Sequence, residues 1–177
     1  CKNGMHGSVR LIDALYYANG SVICRVEIEG DIVEGYNKLC GRRRTVLWML
    51  DATRIIHEFA CQCAEDALAL IKNPDPRSVA AIAAKRKWMS GEITDDELAS
   101  ASSAAWDAAM DAARSAAWAA LDSARAAAWA ASRSSFAAAW YAASSAASDA
   151  ARKKQDSRLT AMVMEAHEAN EMVREDE

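Results

Sequence analysis

The sequence predicts a mainly α protein, in which a small N-terminal α+β module is followed by long alanine-rich helices packed as a bundle or an extended array. Three observations support this. Apolar and polar residues alternate from Val22 to Glu29, the period of a half-buried strand. From Thr45 onward apolar residues recur in three- and four-residue steps, the period of a helix face. After Gly91 the remaining 86 residues contain neither Gly nor Pro, and 25 of residues 101–150 are alanine, the best helix former.

Along the chain, Ser8 is placed to cap a short helix from Val9 to Tyr17 that Gly20 closes. Val22, Cys24, Val26 and Ile28 then form the apolar face of a strand, Gly30-Asp31 marks a turn, and Ile32-Val33 begins a second strand ending near Gly35. Residues 1–41 are thus the expected α+β module and 42–177 the helical region. Val46, Leu50, Thr53, Ile56, Ala60, Cys63, Ala67 and Leu70 predict one helix over about 44–72, roughly 40 Å long. Pro74 stops it, and Asp75 followed by Pro76 is a start signal for a helix carrying Val79, Ile82, Ala83 and Trp88. Thr94 with Glu97 three residues later is a capping box, with acids on the positive end of the next helix. That helix is expected over about 95–152, roughly 87 Å if unbroken. Serine clusters beginning at Ser132 and Ser144 are its only expected bends. A last amphipathic helix carries Leu159, Met162, Val163, Ala166 and Val173.

Large apolar residues concentrate between Leu11 and Trp88 and again from Leu159 to Val173, so the alanine-rich stretch should pack onto a core supplied by the rest. A net charge of −4 argues against a generic nucleic-acid binder, which needs a basic face. Arg42-Arg43-Arg44 is the strongest basic patch and reads as a solvated loop-to-helix junction, with phosphate contact as the alternative. Five cysteines, an odd number at irregular spacing, fit a reducing cytoplasm. No apolar run approaches ~20 residues, so no membrane span is expected.

Three residue types recur at intervals of eleven: Asp111 and Asp122; Arg114 and Arg125; Trp118, Trp129 and Trp140. Eleven residues over three turns is close to the period of a straight helix. On a continuous helix Asp111, Arg114, Trp118, Asp122, Arg125, Trp129 and Arg133 fall within a sector of about 100°. The opposite sector holds Ala109, Ala112, Ala113, Ala116, Ala120, Ala127, Ala130 and Ala131. The small-residue face can approach another backbone closely, while the Trp/Arg face carries residue types typical of binding hot spots. Arg114, Trp118, Arg125, Trp129, Arg133 and Trp140 are therefore the interface candidates. Burial of the tryptophans against the 44–72 helix, or against a repeated helix, with Asp and Arg at the rim, is the competing structural reading.

Residues with catalytic or metal-binding chemistry are sparse. His6 could act as a base or a ligand, but the sequence places no partner beside it. His57 and Cys61 share a helix face while Cys63 points elsewhere, which leaves zinc short of four converging ligands. Buried thiols packing as small hydrophobes is the simpler reading. No nucleophile elbow, phosphate loop or dinucleotide fingerprint is present. No catalytic residue, cofactor or metal is expected.

The stretch from Asp75 to Ala81, the segment from Trp88 to Ala99 and the Ala/Trp array together resemble a class of bacterial and phage proteins labelled immunity proteins by association with polymorphic-toxin systems. The resemblance covers about residues 44–165, and its most specific part is the Gly91-Glu92 turn before the acidic cap. Cys1 to Gly7, Tyr16-Tyr17 and Val26 to Asp31 resemble a second, uncharacterised domain of phage proteins, whose members carry sequence before the cysteine, so a missing start is expected here. The resemblance implies a phage or bacterial origin, a location in the cytoplasm of a bacterial cell or infected host, and a role in conflict between the two. The sequence thus predicts a non-enzymatic protein-binding module acting through its Trp/Arg helical face as an immunity or anti-defence protein. A self-assembling structural protein is the alternative, and an enzyme built around His6 the third reading. The expected partner is another protein or a second copy.

Overall fold

The structure, a computed structural model, describes residues 4–18, 20–114, 118–132 and 149–175. The described elements run β1 (Met5–Gly7), α1 (Leu11–Ala14), β2 (Val22–Glu29), β3 (Val33–Glu34), β4 (Leu39–Gly41), β5 (Arg43–Asp51), α2 (Thr53–Leu68), α3 (Pro76–Met89), α4 (Asp95–Arg114), α5 (Trp118–Ala130) and α6 (Asp149–Glu175). With 59% helix and 18% strand, this is an α+β fold and not the mainly α array of long alanine-rich helices that the sequence predicts.

The expected helix over 44–72 is wrong in its first third. Residues Arg43–Asp51 are strand β5, paired antiparallel with β2 from Val22↔Asp51 to Glu29↔Arg43. The run Val46-Leu47-Trp48-Met49-Leu50 is continuously apolar and fits either period, so pairing decides. Arg43 lies directly opposite Glu29 and bonds its carboxylate at 2.5 Å, a cross-strand pair that fixes the register. The ladder joins residues on both sides of position 42. The helix begins only after Asp51, whose Oδ1 accepts from Thr53 N at 3.0 Å and from Thr53 Oγ1 at 2.6 Å.

A bulge between Arg25 and Val26 shifts the register of this ladder. Ile23 and its opposite neighbour Leu50 enter the main core, whereas Val22 and Cys24, expected to face inward, are exposed. Farther along, Val26 and Ile28 face a second ladder, ordered β1-β4-β3, that meets this antiparallel β2–β5 pair, called the hairpin below. At Gly41 a Cβ would lie 2.6 Å from the Glu29 carbonyl oxygen, so only glycine allows this approach. The first helix is shorter than expected, with Arg10 rather than Ser8 at its N-cap.

α2 is the centre of the molecule. Ile56, Phe59, Ala60, Cys61, Cys63 and Ala64 are fully buried. The same cluster takes Ile12 and Leu15 from α1, Ile23 and Leu50 from the hairpin, Ile82 from α3, Ala126, Ala127 and Ala130 from α5, and Leu159 and Val163 from α6. Alanine-rich α5 therefore packs onto a core of larger residues, as its composition suggests.

Both expected helix starts are present. Asp75 caps α3 by accepting from Arg77 N at 2.8 Å, with Pro76 at the first helical position. Thr94 and Glu97 form the reciprocal box, Thr94 N to Glu97 Oε2 at 2.8 Å and Glu97 N to Thr94 Oγ1 at 3.3 Å. Gly91, at φ 78°, supplies the left-handed residue that ends α3.

One unbroken helix over 95–152 is not what forms. α4 ends at Arg114, α5 ends at Ala130, and the two run antiparallel: Ser102 Oγ donates to the Ala128 carbonyl at 3.2 Å, and Ala108 and Ala109 meet Ala124. An isolated 58-residue alanine helix buries almost nothing, whereas a hairpin buries its alanine faces against each other and against α2 and α3. Tertiary packing overrides the propensity that favours continuation. Ser144, Ser145 and the other serines of the second cluster lie outside the described residues. In α6, Leu159 and Val163 are buried as expected, but Val173 is exposed.

Two buried polar side chains sit where α2, α3 and α5 meet. Lys85 is fully buried; its Nζ donates to the Ser132 carbonyl at 2.8 Å, just beyond the end of α5, and lies 4.0 Å from the centre of the Trp88 ring. A cation there complements the negative helix end. Burial pushes Lys85 down to about 8. His57 meets the edge of Trp88 at 5.4 Å, and burial, reinforced by the Lys85 charge, pushes it down to about 4.

Truncating Phe59→Ala should cost about 3–5 kcal/mol in urea unfolding, against under about 0.5 kcal/mol for Leu70→Ala at an exposed position. His57 also makes stability depend on pH. Its folded pKa lies below its unfolded value, so the unfolded chain takes the proton first, and stability falls as pH drops from 6.5 toward 4. Urea midpoints measured at pH 7 and pH 5 should therefore separate more for the wild type than for His57→Phe.

Candidate functional site

The eleven-residue row is divided between two helices, with Asp111 and Arg114 on α4 and Trp118, Asp122, Arg125 and Trp129 on α5. Arg114 closes α4 and Trp118 opens α5, so Arg114 and Arg125 stand on two antiparallel helices and not along one. Asp111 forms a 2.8 Å ion pair with Arg77 of α3. Arg125 is exposed, and Trp129 is half-buried with its ring edge-on to Trp106 at 5.6 Å. Trp129 thus meets α4, a contact with the other alanine-rich helix. The side chains of Arg114 and Trp118, and all of Arg133 and Trp140, lie outside the described residues. The alanine face is used within the chain: Ala109, Ala127, Ala130 and Ala131 are buried.

A different site forms where the hairpin, β1 and α1 meet α6. Ile23 and Leu50 of the hairpin enter the helical core with Trp48 packed against it, and α6 touches both α1 and the hairpin. Asp156 of α6 accepts from Ile12 N at 3.0 Å, Arg158 pairs with Asp66 of α2 at 3.0 Å, and His167 stacks on Trp48 with ring centres 4.2 Å apart. Between these anchors lies a cavity of about 560 Å³. Its apolar wall includes Leu11, Val26, Val46, Trp48, Val163 and Met164. Arg25 and Arg44 from the hairpin and Lys38 from the β3–β4 loop supply its charge.

No carboxylate lines this cavity, and among the described residues Arg25, Lys38 and Arg44 have no ion-pair partner. Arg44 Nη1 donates to the main-chain oxygen of His6 at 3.1 Å, and the Lys38 ammonium lies 5.0 Å from the Tyr17 ring centre. The basic triplet is therefore split. Arg42 pairs with Asp31, Arg43 with Glu29, and only Arg44 is turned to the cavity. The triplet joins two strands, not a loop and a helix as the sequence suggested.

His6 also lines the cavity, and its Nδ1 is buried without a hydrogen-bond partner among the described residues. Ser8, Tyr17, Cys24, Lys38 and Thr160 are the lining side chains with nucleophilic atoms, and His6 Nδ1 is hydrogen-bonded to none of them. The nucleophile–base–orienter chain of acyl-transfer sites is not assembled in this geometry.

His6 stands out in the sequence, whereas Arg25, Lys38, Arg44 and Trp48 do not show there as its neighbours. One signal was available. Alternation in 22–29 places Arg25 on the face of Ile23, and pairing of β2 with β5 sets Arg25 opposite Trp48. Reading 44–52 as helix hid that pairing.

Among the described residues no group of three or more His, Cys, Asp or Glu side chains is arranged to hold a metal ion, and no helix is long and apolar enough to cross a membrane. Cys61 and Cys63 pack as apolar residues, with burial pushing each thiol up to about 12. Comparison with family models, curated proteins and solved structures finds no match to this chain.

Thiol reactivity should follow this burial. In a Cys1→Ser background, a disulfide reagent at pH 8 should label Cys24 promptly and Cys40, Cys61 and Cys63 only on unfolding. Prompt labelling of Cys61 or Cys63 would contradict the packing of α2.

Proposed function

We propose that the protein is a non-enzymatic binding module and that the cavity between the hairpin and α6 is its ligand site. The observation that carries this reading is the cavity itself: about 560 Å³, mostly apolar, with a few cationic groups on its wall. Ligand sites have this size and character, whereas voids in a packed core are far smaller. Its walls come from five separate elements joined by hydrogen bonds, an ion pair and a ring stack, which favours a preformed site.

The immunity-type resemblance implies a binding role in conflict between bacteria and phages, and binding at the cavity agrees in class with that role. Binding along a continuous Trp/Arg row has less support, because α4 and α5 fold back on each other. Self-assembly through alanine faces has less support as well, since Ala109, Ala127, Ala130 and Ala131 are buried within one chain. An enzymatic reading gains the position of His6 in the lining but no partner to activate it.

The test uses a neutral apolar fluorophore, phenylnaphthylamine. The wild type should bind it saturably at one site. Val46→Trp and Met164→Trp, which place bulk in the cavity from exposed positions, should each weaken binding at least about tenfold while keeping cooperative unfolding. Absence of saturable binding, or binding unchanged in both folded variants, would refute the cavity as the site.

A further inference from the structure

The charge of the cavity goes beyond its shape. Arg25, Lys38 and Arg44 approach it from two strands and a loop, in a protein of net charge −4. Several other arginines of this structure find carboxylates: Arg10 with Asp13, Arg42 with Asp31, Arg43 with Glu29, Arg77 with Asp75 and Asp111, Arg86 with Glu58 and Glu65, Arg158 with Asp66. The three cations of the cavity have no such partner among the described residues, and no acid stands in its lining. Guanidinium groups retain their charge at any physiological pH and bind planar anions through two parallel hydrogen bonds. Beside them, Trp48 is held by its stack on His167, and Val46, Val163 and Met164 extend the apolar surface.

Resting on the reading of the cavity as a ligand site, we infer that it takes an organic anion: an apolar or aromatic body against Trp48, Val163 and Met164, with a carboxylate, sulfonate or phosphate head on Arg25 and Arg44 and with Lys38 adding charge. The apolar wall supplies attachment and the cations supply orientation and selectivity. An acid would be preferred over a neutral molecule of the same shape. Salt would weaken the anion and leave the neutral analogue almost unaffected, since screening acts on charge alone.

Two fluorophores with the same aromatic body separate the claims: anilinonaphthalene sulfonate, which carries the anion, and phenylnaphthylamine, which does not. The wild type should bind the sulfonate at least about tenfold more tightly in low salt, with the advantage shrinking as salt is raised. Arg25→Met and Arg44→Met should each weaken sulfonate binding about tenfold and leave phenylnaphthylamine within about twofold. Arg25 makes no hydrogen bond or ion pair among the described residues, so its variant should also melt like the wild type. Equal affinity for the two probes, or sulfonate binding insensitive to both arginine variants, would overturn the anion assignment while leaving the cavity as a site for neutral ligands. Failure of both probes would overturn the cavity reading itself. Within the organic anions, competition by naphthyl carboxylate but not naphthyl phosphate would assign a singly charged head, and the reverse a doubly charged one.

Discussion

The fold depends on one helix being buried on most of its circumference by side chains small enough to let several neighbours approach it. α2 presents Ala60, Cys61, Cys63, Ala64 and Ala67 around Phe59 and Ile56, and it meets α3, α5, α6 and the hairpin. Short side chains let alanine-rich α5 contribute Ala126, Ala127 and Ala130, where bulky ones would hold it away. Each such contact is weak, and the number of helices sharing the core compensates. The two cysteines serve here as residues slightly larger than alanine, with thiols that burial keeps protonated.

The same arrangement explains why a cavity exists at the other end. The hairpin enters the core of α2 through Ile23 and Leu50, with Trp48 packed against it; beyond the bulge it meets β1 and β4. α6 crosses this region, held by Asp156, Arg158 and His167, and does not fill the space beneath it. The cations on the cavity wall lie on strand and loop positions that the core does not need, so their presence there is not demanded by folding.

Local signals were legible in the sequence where they rest on backbone chemistry. Asp75 and Thr94 cap helices because their side chains satisfy free amides in the first turn, and that requirement is visible within four residues. Long-range pairing was not legible. Val46 to Leu50 suits a helix or a strand, and only the approach of β2, with Glu29 against Arg43, resolves it. The fold of α4 back onto α5 was hidden for the same reason, since no Gly or Pro marks it and its benefit lies in contacts with distant alanines. His6 was visible as an isolated polar group, whereas the cavity it lines depends on five elements that no local pattern brings together.

α2 is the shared core of both the strand and the alanine-rich parts. Native-state hydrogen exchange, resolved by residue, tests it most directly. Amides from Phe59 to Ala67 should exchange only through global unfolding, at the highest free energy in the molecule, while α4 and the β3–β4 ladder open at lower cost. If the amides of α2 exchanged at lower free energy than those of α4 or the hairpin, the helix would not be the element on which the others rest.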